Sequence, residues 1–317
     1  MKTAFLFPGQ GSQEVGMGQD LAAGFPSAAR TFEEADDTLG IPLSRIAWEG
    51  PDEELRLTHN AQPALLAHSI AVLRTIHDRL EAPTFVAGHS LGEFTAHVAA
   101  GTLTFEAALR AVRLRGELML QAGIRRRGTM AAVVGLEADV VEGLCRDLTN
   151  EDEVCVLANY NTRTQLVISG TPEGVAQVSA AASACGALKI VALNVSGAFH
   201  SPLMAEAADG LSSFLDSVPF NDPSVPVVTN VTASAVVEGG EAKKLLVSQL
   251  TSPVRWSHSV QFLVEQGVTH CLEIGQGRVL MGILRRVDRS IECVPVQSPV
   301  DLPAWLNHSE EVGEVVR

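Results

Sequence analysis

The sequence predicts an α/β protein in which a large part built on a parallel sheet is interrupted by a small βαββαβ, ferredoxin-like unit. Short apolar runs at residues 3–7, 84–87 and 270–274 each lead into a glycine-containing turn, as strands do at the carboxyl edge of a parallel sheet. Helix-compatible segments follow the second and third of these turns. Between residues 128 and 193 the order of patterns becomes strand, helix, strand, strand, helix, strand. The expected division is therefore a large part at 1–127 and 194–296, a small part at 128–193, and a tail at 297–317.

A chain of 317 residues can bury a sizeable core as one domain with an insertion or as two domains. Its formal net charge of −14 argues against nonspecific nucleic-acid binding. Neither a dinucleotide-binding nor a phosphate-loop glycine pattern is present. The five cysteines are odd in number and scattered, which suggests no disulfide framework and no metal site and fits a reducing cytoplasm. No run approaches a membrane span, and residues 2–7 are too short for a signal peptide. A cytoplasmic monomer without nucleic-acid or membrane partners is the expectation.

Residues 3–7 read as a buried strand running into Pro8-Gly9-Gln10-Gly11-Ser12-Gln13. Gln10, unshielded between two glycines, lies either at a ligand-binding edge or in a plain turn. Residues 19–80 read as mostly helical, punctuated by Pro26, Pro42, Pro51 and Pro63. His59, His68 and His77 lack acidic or cysteine company at ligand spacing and are read as surface or core residues.

Gly88-His89-Ser90-Leu91-Gly92 stands between a strand and a helix. This is the setting of a nucleophile elbow, where a tight turn strains the serine, exposes its hydroxyl and leaves no room for side chains two residues away. The helix behind it aims N–H groups at an oxyanion. An ordinary glycine-rich turn is the alternative.

In the helix predicted over 105–120, Arg115 shares a face with Phe105, Ala108, Leu109, Val112 and Met119. An arginine there calls for an anion, unless it snorkels or joins a structural ion pair. Arg113 points elsewhere and is expected to be solvated. Strands at 129–134, 154–160, 165–169 and 188–193 and helices at 138–148 and 172–185 make up the small unit.

Ser201-Pro202 is a helix-start signal for a helix to about residue 217. It places His200 where the positive end of the helix disfavours imidazolium. A lone histidine there is otherwise a surface residue, and the serine elbow is what gives it a partner. A strand at 226–231, helices at 241–250, 257–265 and 278–286, and a last strand at 292–296 complete the pattern. Residues from 298 on show none.

Taken together, Gly9-Gln10-Gly11-Ser12-Gln13, Gly88-His89-Ser90-Leu91-Gly92-Glu93, Arg115-Gly116, Gly197-Ala198-Phe199-His200 and the segment 249–256 resemble the malonyl-CoA:acyl carrier protein transacylases. That family includes fatty-acid synthesis enzymes and free-standing polyketide acyltransferases. The resemblance spans roughly residues 1–296 and implies an α/β-hydrolase-like large part. It implies Ser90 as nucleophile, His200 as base and then acid, and the backbone N–H groups of Gln10 and Leu91 as oxyanion hole. A carbonyl near Gln249 would orient His200 in place of an acidic residue. Arg115 would hold the malonyl carboxylate, with Phe199, His89 and Gln249 in the substrate site. Malonyl-CoA and a holo acyl carrier protein would be the partners, and no cofactor or metal is implied.

Leu91 and Phe199 match members that handle unbranched malonyl, which implies preference over methylmalonyl. Two departures stand out: no Pro-Gly turn follows Asn161, and Gln276 replaces a common proline. Rival readings are a proofreading acyl hydrolase of the same architecture, a simple carboxylesterase, and a carrier-docking module without catalysis. The basic triplet at residues 125–127, with Lys189, Arg278, Arg285 and Arg286, offers candidates for docking an acidic carrier.

Overall fold

The apolar run at the start of the chain forms β1 (Thr3–Phe7), whose last four residues are buried on both faces. In the computed structural model, which describes residues 1–150 and 152–309, this strand is the interior of a six-stranded sheet. The chain then passes through α1 (Gln19–Gly24), α2 (Pro26–Leu39), α3 (Leu43–Glu49), α4 (Asp52–Leu55) and α5 (Thr58–Ile76). Pro26 opens α2, where a missing N–H costs nothing.

Pro63 behaves differently from the punctuation expected of it, for it lies inside α5. Lacking an N–H, it cannot bond the carbonyl of His59 four residues back. Arg113 Nη1 donates to that carbonyl instead, at 3.0 Å, and to Asn60 Oδ1 at 2.6 Å. Arg113 is thus a half-buried patch on the proline defect and not a solvated side chain.

β2 (Phe85–Gly88) pairs parallel with β1 and is followed by α6 (Leu91–Ala99) and α7 (Phe105–Arg125). The small unit comes next: β3 (Thr129–Val134), α8 (Ala138–Leu148), β4 (Cys155–Thr162), β5 (Gln165–Gly170), α9 (Pro172–Ala184) and β6 (Lys189–Ala192). These four strands form an antiparallel sheet ordered β4-β5-β3-β6 with its own apolar core. At the turn that lacks Pro-Gly, Thr162 Oγ1 accepts from the N–H groups of Thr164 and Gln165, so a threonine hydroxyl does the turning.

The chain returns through α10 (Ala205–Leu215), β7 (Val227–Val228), β8 (Ala235–Val236), α11 (Gly239–Ser248), α12 (Trp256–Glu265), β9 (His270–Ile274), α13 (Val279–Val287) and β10 (Glu292–Val296). The large sheet runs β10-β9-β1-β2-β7-β8, parallel except for β8, which pairs antiparallel with β7. A backbone junction ties the small sheet to the segment just before α12. Val254, just before α12, donates to Ala158 O at 2.8 Å and accepts from Tyr160 N at 2.9 Å along β4.

Three further expectations are revised. The helix after Pro202 opens with a 3-10 turn, Pro202–Met204. The strand expected at 226–231 covers only two residues, because Asn230 leaves the ladder for the site described below. The tail is ordered in its first part: Ser298 and Asp301 form a capping box, and Trp305 packs its ring 4.8 Å from that of His270. Its later residues, from 310, lie outside the described residues. No helix among the described residues is long and apolar enough to cross a membrane.

Candidate active site

At the carboxyl end of β2 the chain turns within two residues into α6. Ser90 sits at φ 51°, ψ −106°, a conformation that costs a non-glycine residue about 1–3 kcal/mol. A Cβ on Gly88 would lie 1.9 Å from Gly92 O, and one on Gly92 would lie 2.1 Å from Phe7 O. Both glycines are therefore required by close backbone approach. A Cβ on Gly9 would meet His89 O at 2.4 Å, so the loop after β1 lies against the elbow and brings Gln10 alongside it. Among the described residues the backbone N–H groups of Leu91 and Gln10 donate no hydrogen bond. The Gln10 side chain donates to Thr58 Oγ1 at 3.2 Å.

His200 meets this serine from the segment after the small unit. Its Nε2 is 2.8 Å from Ser90 Oγ and its Nδ1 is 2.9 Å from Gln249 O. A carbonyl only accepts, so Nδ1 carries the hydrogen and Nε2 faces the hydroxyl as a lone pair. Burial, and next the charge of Arg115, push the His200 pKa down to about 3. The expected helix-end effect is thus secondary; desolvation is what keeps the ring neutral. Ser201 still caps the following turn. His200 itself has φ 54°, so both partners of the pair stand on left-handed backbone.

Arg115 is 1% exposed. Its Nη1 donates to Gln62 Oε1 at 2.7 Å, and its Nη2 donates to Gln249 Oε1 at 3.0 Å and to Ser90 Oγ at 3.2 Å. Among the described residues Nε has no partner and no carboxylate pairs with the guanidinium directly. Burial lowers its pKa to about 10, so the group remains a cation. A hydroxyl flanked by a neutral base, a buried cation and free backbone N–H groups can be acylated and can bind a negatively charged acyl group.

Behind the serine lies a polar network. Asn230 accepts from Ser90 N at 2.7 Å and donates through Nδ2 to Gly88 O at 2.7 Å, clasping both flanks of the strained residue. Glu93 Oε2 accepts from Asn230 N at 2.9 Å and from Gln249 Nε2 at 2.7 Å. Gln249 Nε2 also reaches Ser90 O at 3.1 Å. Gln249 therefore orients His200 through its carbonyl and Arg115 through its amide.

The remaining expected residues frame the site. Phe199 is buried in the main core. His89 turns toward the small unit, with Nε2 2.9 Å from Asn161 Oδ1 and its ring 5.6 Å from that of Trp256. No group of three or more side chains suited to a metal occurs among the described residues.

The acyl transferase domain model matches residues 4–302. This chain belongs to that family. It is similar to the malonyl CoA-acyl carrier protein transacylase of Bacillus subtilis, with 47% identity over 94% of each chain. The Escherichia coli protein of the same name is 41% identical, over 96% of this chain and 98% of its own. Among solved structures, a malonyl-transacylase in complex with a type II polyketide synthase acyl-carrier protein superposes with TM-score 0.93 at 40% identity. That match covers 97% of this chain and 100% of the other.

Within this acyl transferase, sequence reading missed Gln62, Glu93 and Asn230. Glu93 had a faint signal: it lies on a helix whose neighbours Phe94, Ala96 and Val98 leave little polar face. Asn230 had none, since it sits in a strand-like run 140 residues from the serine it holds.

Proposed function

We propose that the chain is a malonyl-CoA:acyl carrier protein S-malonyltransferase working by a ping-pong route through an acyl-Ser90 intermediate. The observation that carries this reading is Ser90 Oγ standing between His200 Nε2 and Arg115 Nη2. Ser90 Oγ attacks the thioester carbonyl while Nε2 takes its proton. The N–H groups of Leu91 and Gln10 receive the oxyanion. Collapse expels the CoA sulfur, which takes the proton from His200. In the second half the phosphopantetheine thiol gives its proton to His200 and attacks the acyl-serine carbonyl, restoring Ser90.

Arg115 holds the malonyl carboxylate. With Gln62 and Gln249 occupying two of its five N–H groups, the hydrogen now on Ser90, the second on Nη1 and the unpartnered Nε–H are left for the substrate. Burial is the main cause that lowers the His200 pKa, with the charge of Arg115 second, so the ring is kept as a neutral base chiefly by desolvation. Leu91 and Phe199, with His89 at the rim, form the walls that disfavour a methyl on the α-carbon. Steric rejection of that kind is worth about 1–3 kcal/mol, and comparable kcat/KM values for malonyl-CoA and methylmalonyl-CoA would refute it.

The same reading takes 1–127 with 194–296 as an α/β-hydrolase-like subdomain and 128–193 as a ferredoxin-like one. The parallel ladder and the β4-β5-β3-β6 order support it. The protein works as a cytoplasmic monomer with no cofactor, the CoA thioester being substrate. For the carrier, the triplet at 125–127 remains the candidate contact, although Arg125 is already paired with Glu206.

One assay tests the function. Radiolabelled malonyl-CoA is supplied with and without holo carrier protein, and label is followed on Ser90, on the carrier and as free malonate. Transfer to the carrier is expected, and free malonate as main product would sink the transferase in favour of a hydrolase.

A further inference from the structure

Glu93 is fully buried, yet its two oxygens are treated differently. Oε2 accepts both available donors, Asn230 N and Gln249 Nε2. Oε1 is buried with no partner. A proton can therefore be added at Oε1 without breaking any bond of the network. The Gln249 amide links this carboxyl to Arg115 on its other side.

Other charges near Glu93 are spoken for. On α7, Arg110 pairs with Glu106 and Arg113 with Glu117. On α5, Arg74 pairs with Glu34, while burial keeps His68 neutral, its pKa lowered to about 4. His59, at the start of α5, lies beside Arg113, and burial and that charge push its pKa down. His97, one turn on in α6, and His200 are likewise neutral, both lowered to about 3. His89, at the elbow itself, is pushed down by burial. β1 and β2 bring no ionisable side chain. Arg115 alone acts on Glu93 through its charge.

We infer that Glu93 is the internal counter-charge of Arg115, and that it takes up a proton at Oε1 when the substrate carboxylate pairs with the guanidinium. This deepens the malonyl-transfer reading and rests on it. In the free site one buried cation faces one buried carboxylate. A bound malonyl group adds a second anion where water is excluded, and two carboxylates sharing one cation drive one of them to the neutral form. The substrate carboxylate contacts Arg115 directly, whereas Glu93 does so only through an amide, so Glu93 is the one protonated. The proton comes from solvent and returns to it when the acyl group departs. Burial already raises the Glu93 pKa to about 7, which puts the exchange within the working range. Glu93 is thus a positioning residue whose charge is exchanged for that of the substrate.

The sign is fixed by linkage. Below the free-site pKa the carboxyl is already protonated and binding takes up nothing. Above it each binding event consumes a proton, so malonyl-CoA affinity falls about tenfold per pH unit. The test is calorimetry of Ser90→Ala with malonyl-CoA and with acetyl-CoA, in buffers of different ionisation enthalpy. At about pH 8 malonyl-CoA is expected to take up about one more proton than acetyl-CoA, and at about pH 5.5 the two should agree. Adding Glu93→Gln, which keeps the acceptor for Asn230 and Gln249, should abolish the difference, and in the enzyme with Ser90 intact Glu93→Gln alone should flatten the rise of KM with pH. Equal uptake for both ligands at the higher pH overturns the inference, and so does a difference that survives in Glu93→Gln. If malonyl-CoA labels wild-type Ser90 but carries no extra proton, only this inference fails. If it does not label Ser90, the functional reading fails with it.

Discussion

The large sheet carries two strand–turn–helix units, and they differ in what meets the start of the helix. In the first, β2 passes through Gly88 and Ser90 into α6, and Leu91 N–H is left without an acceptor. In the second, β9 passes through Gly275 and Gly277 into α13, and the strand's own Glu273 closes the helix. Its Oε1 accepts from Leu280 N at 2.9 Å and its Oε2 from Met281 N at 2.7 Å. Both units contain a buried glutamate. Glu273 spends both oxygens on a helix N-terminus, the favourable place for an anion, whereas Glu93 is turned away from the helix start and leaves it open. The same local motif is thus a sealed joint in one place and an open helix start in the other, where the proposed chemistry takes place, and the position of one carboxylate separates them.

The largest effect that should separate the units is chemical. His200→Ala is expected to slow malonyl transfer on the order of 10⁴-fold or more, while Gln276→Ala in the sealed turn should stay within about twofold. A comparable loss from Gln276→Ala, read in the same transfer assay, would break the comparison. Next comes backbone fit. Gly92→Ala drives a Cβ into Phe7 O, and should cost about 3 kcal/mol or more in denaturant unfolding. Gly282→Ala in α13 meets nothing within 4 Å and should stabilise by about 0.5–1 kcal/mol.

Arg115→Leu should then reduce the preference for malonyl-CoA over acetyl-CoA by about a hundredfold in kcat/KM, the worth of two charge-assisted hydrogen bonds. An unchanged ratio would remove Arg115 from substrate selection. Glu273→Gln should lower stability by about 1–2 kcal/mol with malonyl transfer intact, visible as a fall in Tm alone. The smallest effect expected is none at all. With burial lowering the His200 pKa to about 3 in the free protein, the ring proposed as base stays neutral as pH falls. Acylation kcat/KM should therefore be flat from about pH 7 to about pH 5. A decline centred near the ordinary histidine pKa would show that burial does not hold the ring neutral.

What was legible in the sequence is what local physics dictates. Ser90 between two glycines, Arg115 on an apolar face and His200 before a capping serine each follow from spacing on one element. The small unit was legible because six consecutive elements alternate in period. The clasp around the serine was not, because Asn230 and Glu93 gain their roles only when β7 comes to lie beside β2. Residues 299–306 escaped because their order comes from packing against the core and from a capping box, neither of which has a period.

The junction at Val254 has a mechanical meaning. Two amide hydrogen bonds tie β4 to the segment before α12, and Asn161 near the end of β4 reaches His89 beside Ser90. Sliding β4 against that segment would break both bonds at once. In hydrogen exchange, the amides of Tyr160 and Val254 should be as slow as those of β1, and binding of substrate should leave them so.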